Sequence, residues 1–367
     1  LSSQVNKGAA GHAYDPARLC FDPFSTVART RNVKAIQLQR PGGLDQLRLV
    51  ELPMPGAPQP GEIQVRIHAS SLNYHDLGVV CGQLKVDDKR IPMADGAGVV
   101  TAVGANVTEF AVGDAVVSCF FPHWQAGRAV PSTFKTVPGD GVDGFAREYV
   151  NMPAQAFTHA PRGYTHEQAA TLTTAGLTAW RALVVDGRLQ AGDTVLVLGT
   201  GGVSVFALQM AKAMGARVIA TTSSQDKQAR LLALGADQVI NYRQHPDWGD
   251  VVLAATGGRG ADIVVEVGGP GTLPNSIRAC AAGGHIALIG VLTGIAGNVP
   301  TVEMMRKQQT LRGLIVGSRE QQQDMVRALE NFEWRPVIDS RYPLERIADA
   351  FAHQRSAKHF GKICLHY

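Results

Sequence analysis

The sequence predicts an α/β protein of two domains, one a compact β-barrel and the other a doubly wound parallel sheet. Three observations carry this reading. From Val33 to about Gln155, apolar and polar residues alternate between Pro- and Gly-rich turns, as half-buried strands do. From near Tyr164 to about Gly317, short apolar runs alternate with helical stretches, which is the pattern of βαβ units. The chain has 367 residues, and single hydrophobic cores stop growing near ~250–300 residues.

In the first part, Val33–Leu38 and Glu62–Ala69 read as strands, with Pro53, Pro55, Pro58, Pro60 and Gly61 breaking the chain between them. Gly96–Val100 and Val112–Val117 read as tight turns feeding strands. Thr165 is placed to cap a helix holding Glu167, Ala169, Ala170 and Leu172. Strands are then expected at Thr194–Leu198, Arg217–Thr221, Gln238–Ile240, Ile263–Glu266, His285–Ile289 and Leu311–Val316. Helices are expected at Val203–Met214, closed by Gly215, and Lys227–Leu234, closed by Gly235. The tail adds a helix near Glu320–Glu330 and a strand at Lys362–Leu365. Pro336–Ile338 and Phe360–Gly361 resemble first-domain material, so the parallel sheet reads as an insertion. The expected layout is an unassigned N-terminal arm at 1–32, a β-barrel domain at 33–160 completed by 320–367, and the parallel-sheet domain at 161–319.

Composition excludes several classes. The 35 Lys and Arg against 31 Asp and Glu form no basic block, which argues against a nucleic-acid partner. No apolar run reaches the ~18–20 residues of a membrane-spanning helix, so no membrane partner is expected. The five cysteines, Cys20, Cys81, Cys119, Cys280 and Cys364, are widely spaced and never in a CxxC pair. That usage fits a reducing cytoplasm better than a disulfide framework.

The sharpest motif is Gly199-Thr200-Gly201-Gly202-Val203-Ser204, between a strand and a helix. Gly199 permits the tight turn, Gly201 lets backbone approach a pyrophosphate, and the helix beginning near Gly202 offers free N–H groups. Ser204 stands where a third glycine is usual. The next strand ends Thr221-Thr222-Ser223-Ser224, without the acid that bonds a ribose 2′-hydroxyl in NAD sites. Ser223, Ser224 and Lys227 suit a 2′-phosphate instead, which favours NADPH; the competing reading of Lys227 is a solvated first-turn lysine. Lys358 and Lys362 are further candidates to reach a cofactor phosphate.

At these residues the chain resembles the medium-chain dehydrogenase/reductase superfamily, most of all its zinc-lacking alcohol-dehydrogenase-like and quinone oxidoreductase branch. The resemblance rests on Ser71–Asp76, Asp95–Val100, Gly113-Asp114, Ala175–Trp180, the glycine loop, Leu234–Tyr242, Glu266-Val267-Gly268-Gly269 and Gly361-Lys362-Ile363, all in one order. It implies a GroES-like catalytic domain, a Rossmann domain, an active site in the cleft between them, and a homodimer. It also implies that Ser223, Lys227 and Tyr242 hold the adenosine 2′-phosphate. Gly268, Gly290 and Leu292 join the glycine loop in the expected cofactor-binding set.

Zinc-dependent members use Cys, His and Cys ligands. Here Asn73 stands for the first Cys, Ala94-Asp95 for the His-Glu pair, and Thr171 falls near the second Cys. Neutral amide and hydroxyl oxygens bind Zn²⁺ poorly, and Ala binds nothing, so no zinc is expected in the usual way. Asn73, Tyr74 and His75 are the candidate catalytic residues: Asn73 to position ribose or carbonyl, Tyr74 to donate a proton or line the pocket, His75 to relay protons. Phe120–Trp124 reads as a loop that binds a flat substrate or merely packs on itself. Three activities stay open: an NADPH-dependent reductase of quinones or α,β-unsaturated carbonyls, a zinc-independent alcohol dehydrogenase or ketone reductase, and an NADPH-binding sensor with little turnover.

Overall fold

The described residues open with an antiparallel pair, β1 (Asn32–Leu38) and β2 (Leu47–Pro53). The computed structural model describes residues 31–129 and 135–367, so most of the expected N-terminal arm, and Cys20 with it, lies outside the described residues. Next come β3 (Glu62–Ser71), helix α1 (Tyr74–Val80), β4 (Ala97–Val103), β5 (Ala115–Ser118), β6 (Tyr149–Pro153) and β7 (Phe157–His159). Strands β3–β7 belong to one seven-stranded sheet. Alternate residues of a strand share a face, and Ile63, Val65, Ile67 and Ala69 of β3 are all buried. The first three pack on Val100, Val116, Phe145 and Phe157. Gly98 crosses β3 so closely that a Cβ there would lie 1.9 Å from the Arg66 carbonyl oxygen.

Thr165 caps α2 (His166–Ala170) as its sequence suggests. Its hydroxyl accepts from Gln168 N at 3.3 Å, and Gln168 Oε1 accepts from Thr165 N at 3.0 Å. Wider helical turns continue through α3 (Leu177–Trp180) to Asp186.

Strand and helix then alternate: β8 (Thr194–Leu198), α4 (Gly202–Ala213), β9 (Arg217–Thr222), α5 (Gln225–Ala233), β10 (Gln238–Asn241), α6 (Trp248–Ala255), β11 (Ala261–Glu266), α7 (Leu273–Ala279), β12 (Cys280–Leu288), α8 (Thr301–Arg306) and β13 (Thr310–Gly313). The six strands pair in parallel in the order β10-β9-β8-β11-β12-β13. The strand order reverses between β8 and β11, and ligands of such sheets bind outside the strand ends at that switch. Helices cover both faces, so Val195, Leu196 and Val197 of β8 are all fully buried.

The chain then returns to the first sheet by way of α9 (Arg319–Leu329), β14 (Ile338–Pro343), α10 (Ile347–Arg355) and β15 (Lys362–His366). Strand β15 pairs antiparallel with β3, setting Cys364 opposite Ser71, and parallel with β14.

Two strand boundaries differ from the sequence expectation by more than two residues. β13 stops at Gly313 instead of running to Val316. Arg181 Nη1 donates to the carbonyls of Val316 (3.2 Å) and Ile315 (3.4 Å), and Val316 sits at φ +47°, which turns the chain out of the sheet. β12 begins at Cys280 rather than His285. Gly283 and Gly284 interrupt its apolar pattern and hide its start from a reading by periodicity. Among the described residues, no helix is long and apolar enough to cross a membrane.

Gly98→Ala is expected to destabilise the protein by at least about 1–3 kcal/mol, since backbone and not a mobile side chain blocks the added methyl. A lowered midpoint of thermal unfolding checks this; an unchanged midpoint would show that β3 and β4 separate freely.

Candidate active site

The glycine loop leaves β8 at the switch point. Gly199 holds φ +73°, and its N–H donates to the Thr221 carbonyl at 3.0 Å, which ties the turn to β9. A Cβ on Gly201 would meet nothing within 4 Å, so no protein packing explains the missing side chain there. Open space beside a backbone turn is what an approaching pyrophosphate needs. Gly201 caps α4 without any side-chain bond, leaving the first N–H groups of that helix, on Gly202, Val203 and Ser204, for an anion. The Ser204 hydroxyl, in place of the third glycine, donates to Leu198 O at 2.6 Å and so holds helix against strand.

Gly202 is closed in for a different reason. A Cβ there would lie 2.6 Å from Lys362 Cδ. Thr200 accepts at 2.9 Å from Gly361 N, and Gly201 and Gly361 form a parallel bridge. The tail strand therefore runs directly against the loop.

Ser223 and Ser224 follow β9, and Tyr242 follows β10 beside them, its N–H donating to Thr222 O at 3.0 Å. Ser224 caps α5, with its hydroxyl accepting from Lys227 N. Lys227 Nζ donates to the carbonyls of Ala357 (2.9 Å) and His359 (2.8 Å), so it reaches across to the tail. Burial pushes the Lys227 ammonium below its usual value. Burial and the neighbouring Lys227 charge push the His359 imidazole down to about 4, so it stays neutral. Lys358 is exposed.

Gly268 follows β11 and Gly290 follows β12. A Cβ on Gly268 would press on the Thr272 side chain, and one on Gly290 would lie 1.7 Å from Val267 O. The Glu266 carboxylate shapes this turn. It is fully buried and accepts from Gly268 N (2.7 Å), Gly269 N (2.9 Å), Thr272 Oγ1 (2.6 Å) and the Ser276 hydroxyl. Leu292, further along the same loop, is 56% exposed.

Asn73 lies at the junction of β3 and α1, and Asp76 fixes it. Asp76 Oδ2 accepts from Asn73 N (2.9 Å) and Asn73 Nδ2 (3.1 Å), while Asp76 Oδ1 accepts from Ala94 N (2.9 Å). On the other side, Lys362 Nζ donates to Asn73 Oδ1 at 2.5 Å and to Leu72 O at 2.6 Å. Asp95 is fully buried, with Oδ2 accepting from Ser71 (2.5 Å) and Oδ1 from Thr174 (2.6 Å), and it lies 3.7 Å from Lys362 Nζ. Burial raises the Asp95 carboxyl above its usual value, and the Lys362 charge opposes that rise.

Tyr74 is half exposed, while His75 sets its ring edge against Phe120 with Nε2 3.6 Å from Asp140. Phe120, Phe121 and Trp124 are buried in the core cluster shared with α3 and α4, which decides for packing over an open aromatic platform. Cys119, Cys280 and Cys364 are free and buried, and burial raises their thiols to about 12; Cys81 is also free.

A family model for the zinc-binding dehydrogenase domain matches residues 202–332, and one for the alcohol dehydrogenase GroES-like domain matches residues 59–162. The chain is 38% identical over 331 residues to a zinc-type alcohol dehydrogenase-like protein of Schizosaccharomyces pombe, an alignment covering 88% of this chain and 96% of that protein. The chain belongs to the medium-chain, zinc-type alcohol dehydrogenase-like family. It is an oxidoreductase with a GroES-like N-terminal domain and a Rossmann domain, and a nicotinamide cofactor is typical of the family. Two solved structures are similar throughout. A Sinorhizobium meliloti protein of alcohol dehydrogenase type is 40% identical, with a TM-score of 0.85 over 92% of this chain and 98% of its own. An NAD-dependent alcohol dehydrogenase is 35% identical, with a TM-score of 0.82 over 91% of this chain and 99% of its own.

The family name implies zinc, and the donors at the matching positions do not fit it. The Asn73 amide oxygen is bonded to an ammonium, Ala94 has no donor, and the Thr171 hydroxyl donates to Gln168 O at 2.6 Å. Among the described residues, no group of three His, Cys, Asp or Glu is placed to hold a metal ion. The sequence reading missed the Asp95–Lys362 contact. Its one trace is a lysine opening an otherwise apolar strand, Lys362-Ile363-Cys364-Leu365.

Gly201→Ala is expected to leave stability within about 0.5 kcal/mol, because the methyl enters open space. The same methyl should weaken nicotinamide-cofactor binding about tenfold or more by blocking close backbone approach. Fluorescence titration beside thermal unfolding checks both; unchanged affinity would remove the loop from the cofactor site.

Proposed function

We propose that this oxidoreductase uses NADPH to reduce a quinone or an α,β-unsaturated carbonyl without zinc, as its resemblance to the quinone oxidoreductase branch implies. The observation that carries the reading is the set of groups around Asn73: an amide, a buried ammonium and a buried carboxylate that satisfy one another and, among the described residues, leave no set of metal donors. Alkoxide chemistry on a simple alcohol needs a Lewis acid such as zinc, or another electrophile in its place. Reduction of a conjugated carbonyl spreads the new negative charge over an enolate, which hydrogen-bond donors stabilise.

The cofactor, when bound, supplies hydride from the C4 carbon of its nicotinamide ring. This chain's residues bind and orient. Gly199–Gly202 and the N–H groups that open α4, including that of Val203, receive the pyrophosphate. Ser223, Ser224, Lys227 and Tyr242 hold the 2′-phosphate, and the absence of a carboxylate at the end of β9 supports NADPH over NADH. Gly268, Gly290 and Leu292 border the nicotinamide end. Asn73 orients the substrate or ribose, and Tyr74 or water delivers the proton, with His75 as a relay.

A second reading is alcohol–ketone exchange at the same site. The solved relative named as an NAD-dependent alcohol dehydrogenase favours it. The two readings separate by assay after exhaustive chelation, with metal content measured in the same sample. NADPH-dependent reduction of enones or quinones by metal-free protein is the expected outcome. Stoichiometric zinc required for turnover, or turnover of saturated secondary alcohols with none of enones, would overturn it. Lys227→Ala should raise the KM for NADPH about tenfold and leave that for NADH unchanged, as loss of one charge-assisted bond implies.

We also propose a homodimer. β13 ends the six-stranded sheet, with one edge unpaired among the described residues. Val291, Leu292, Ile295, Met305 and Ile315 are exposed around it, Ile295 at 93%. An apolar hollow of about 600 Å³ lined by Leu288, Ile295, Leu314 and Ile315 adjoins that edge. A second copy would cover this edge and surface. Light scattering should give twice the chain mass, falling to one chain mass for Ile295→Glu with Met305→Glu; a monomeric parent protein would refute the assignment.

A further inference from the structure

We infer that Lys362 is a positioning residue for hydride transfer: its buried ammonium, paired with Asp95, sets Asn73 in register with the glycine loop. The inference rests on the hydride-transfer reading above and goes beyond it by assigning a residue that acts through Asn73.

Lys362 opens β15 and is 3% exposed. Three oxygens surround its Nζ: Leu72 O at 2.6 Å, Asn73 Oδ1 at 2.5 Å and Asp95 Oδ2 at 3.7 Å. Burying an ammonium is costly unless the charge is paired and bonded. Packing does not require it here, since the next three residues, Ile363, Cys364 and Leu365, fill the same strand with apolar side chains. The opposite charge on fully buried Asp95 is equally costly alone. The pair thus offset one another beside Asn73, which stands where zinc-dependent members carry their first Cys ligand.

Two consequences follow for Asn73. Its amide is fixed in one orientation, because the oxygen faces Lys362 while the nitrogen donates to Asp76 (3.1 Å) and Ser71 O (3.3 Å). It is also tied to the cofactor loop, because the Lys362 stem lies where a Gly202 Cβ would be, with Cδ 2.6 Å from that point. One side chain therefore spans from the first residue of α4 to the Asn73 amide.

The test compares Lys362→Met, Lys362→Met with Asp95→Asn, and Lys362→Arg against the parent protein. The double variant leaves no unpaired buried charge, so it keeps the test informative if the single variant fails to fold. Folding is checked by circular dichroism. The folded variants should bind NADPH with unchanged affinity while kcat on an enone or quinone falls about 100-fold, as a misplacement of about 1 Å implies. Lys362→Arg should recover part of that loss. A crystal structure of the double variant should show the Asn73 amide turned from its parent orientation. An Asn73 that stays in place, or an unchanged kcat, would overturn the inference. So would weaker NADPH binding with normal kcat at saturation, which would make Lys362 a phosphate ligand. Failure of the hydride-transfer reading looks different: the parent protein itself reduces no carbonyl, while the crystal structure still reports on Asn73.

Discussion

The crossing of the tail strand beneath the glycine loop constrains everything around it. Gly361 N bonds to Thr200 O, Gly201 bridges to Gly361, and the stem of Lys362 occupies the space of a Gly202 side chain. A residue larger than glycine at 202 would press on the Lys362 stem. The loop is thereby held by the seven-stranded sheet as well as by its own β8 and α4. Lys227, bonded to the carbonyls of Ala357 and His359, makes a second tie between the parallel sheet and the tail.

Buried charge is handled in two ways in this protein. Among the described residues no cation pairs with Glu266; four N–H and O–H donors from the turn after β11 and from α7 surround its oxygens. Its role is to shape backbone, and it fixes the turn that carries Gly268. Asp95 has two hydroxyl donors, Ser71 and Thr174, together with the Lys362 ammonium. Hydroxyls alone leave its burial incompletely offset, and the raised carboxyl value reflects that burial. The ammonium completes the set and extends it to Asn73.

Much of this was legible from residue order alone. The strand–helix alternation of 194–313, the capping role of Thr165 and the glycine turn at Gly199 all follow from local rules that act over a few residues. Asn73, Ala94 and Thr171 could be compared with metal ligands because their motifs are short and contiguous. The early start of β12 was not legible, since Gly283 and Gly284 carry no apolar signal. Nor was the early end of β13, because the group that turns the chain out, the Arg181 guanidinium, lies far back in the sequence.

The sequence by itself determined the layers, the dinucleotide-type turn and the chemical types available at the site, since periodicity, glycine conformation and donor identity are properties of single residues and near neighbours. Only the tertiary structure decided which charges meet. Lys362 and Asn73 are 289 positions apart, and nothing local makes an ammonium near the end of the chain neutralise Asp95 or grip an amide. That meeting depends on β15 pairing with β3. Strand pairing at such separation is selected by the burial of whole sheet faces, which no single segment encodes.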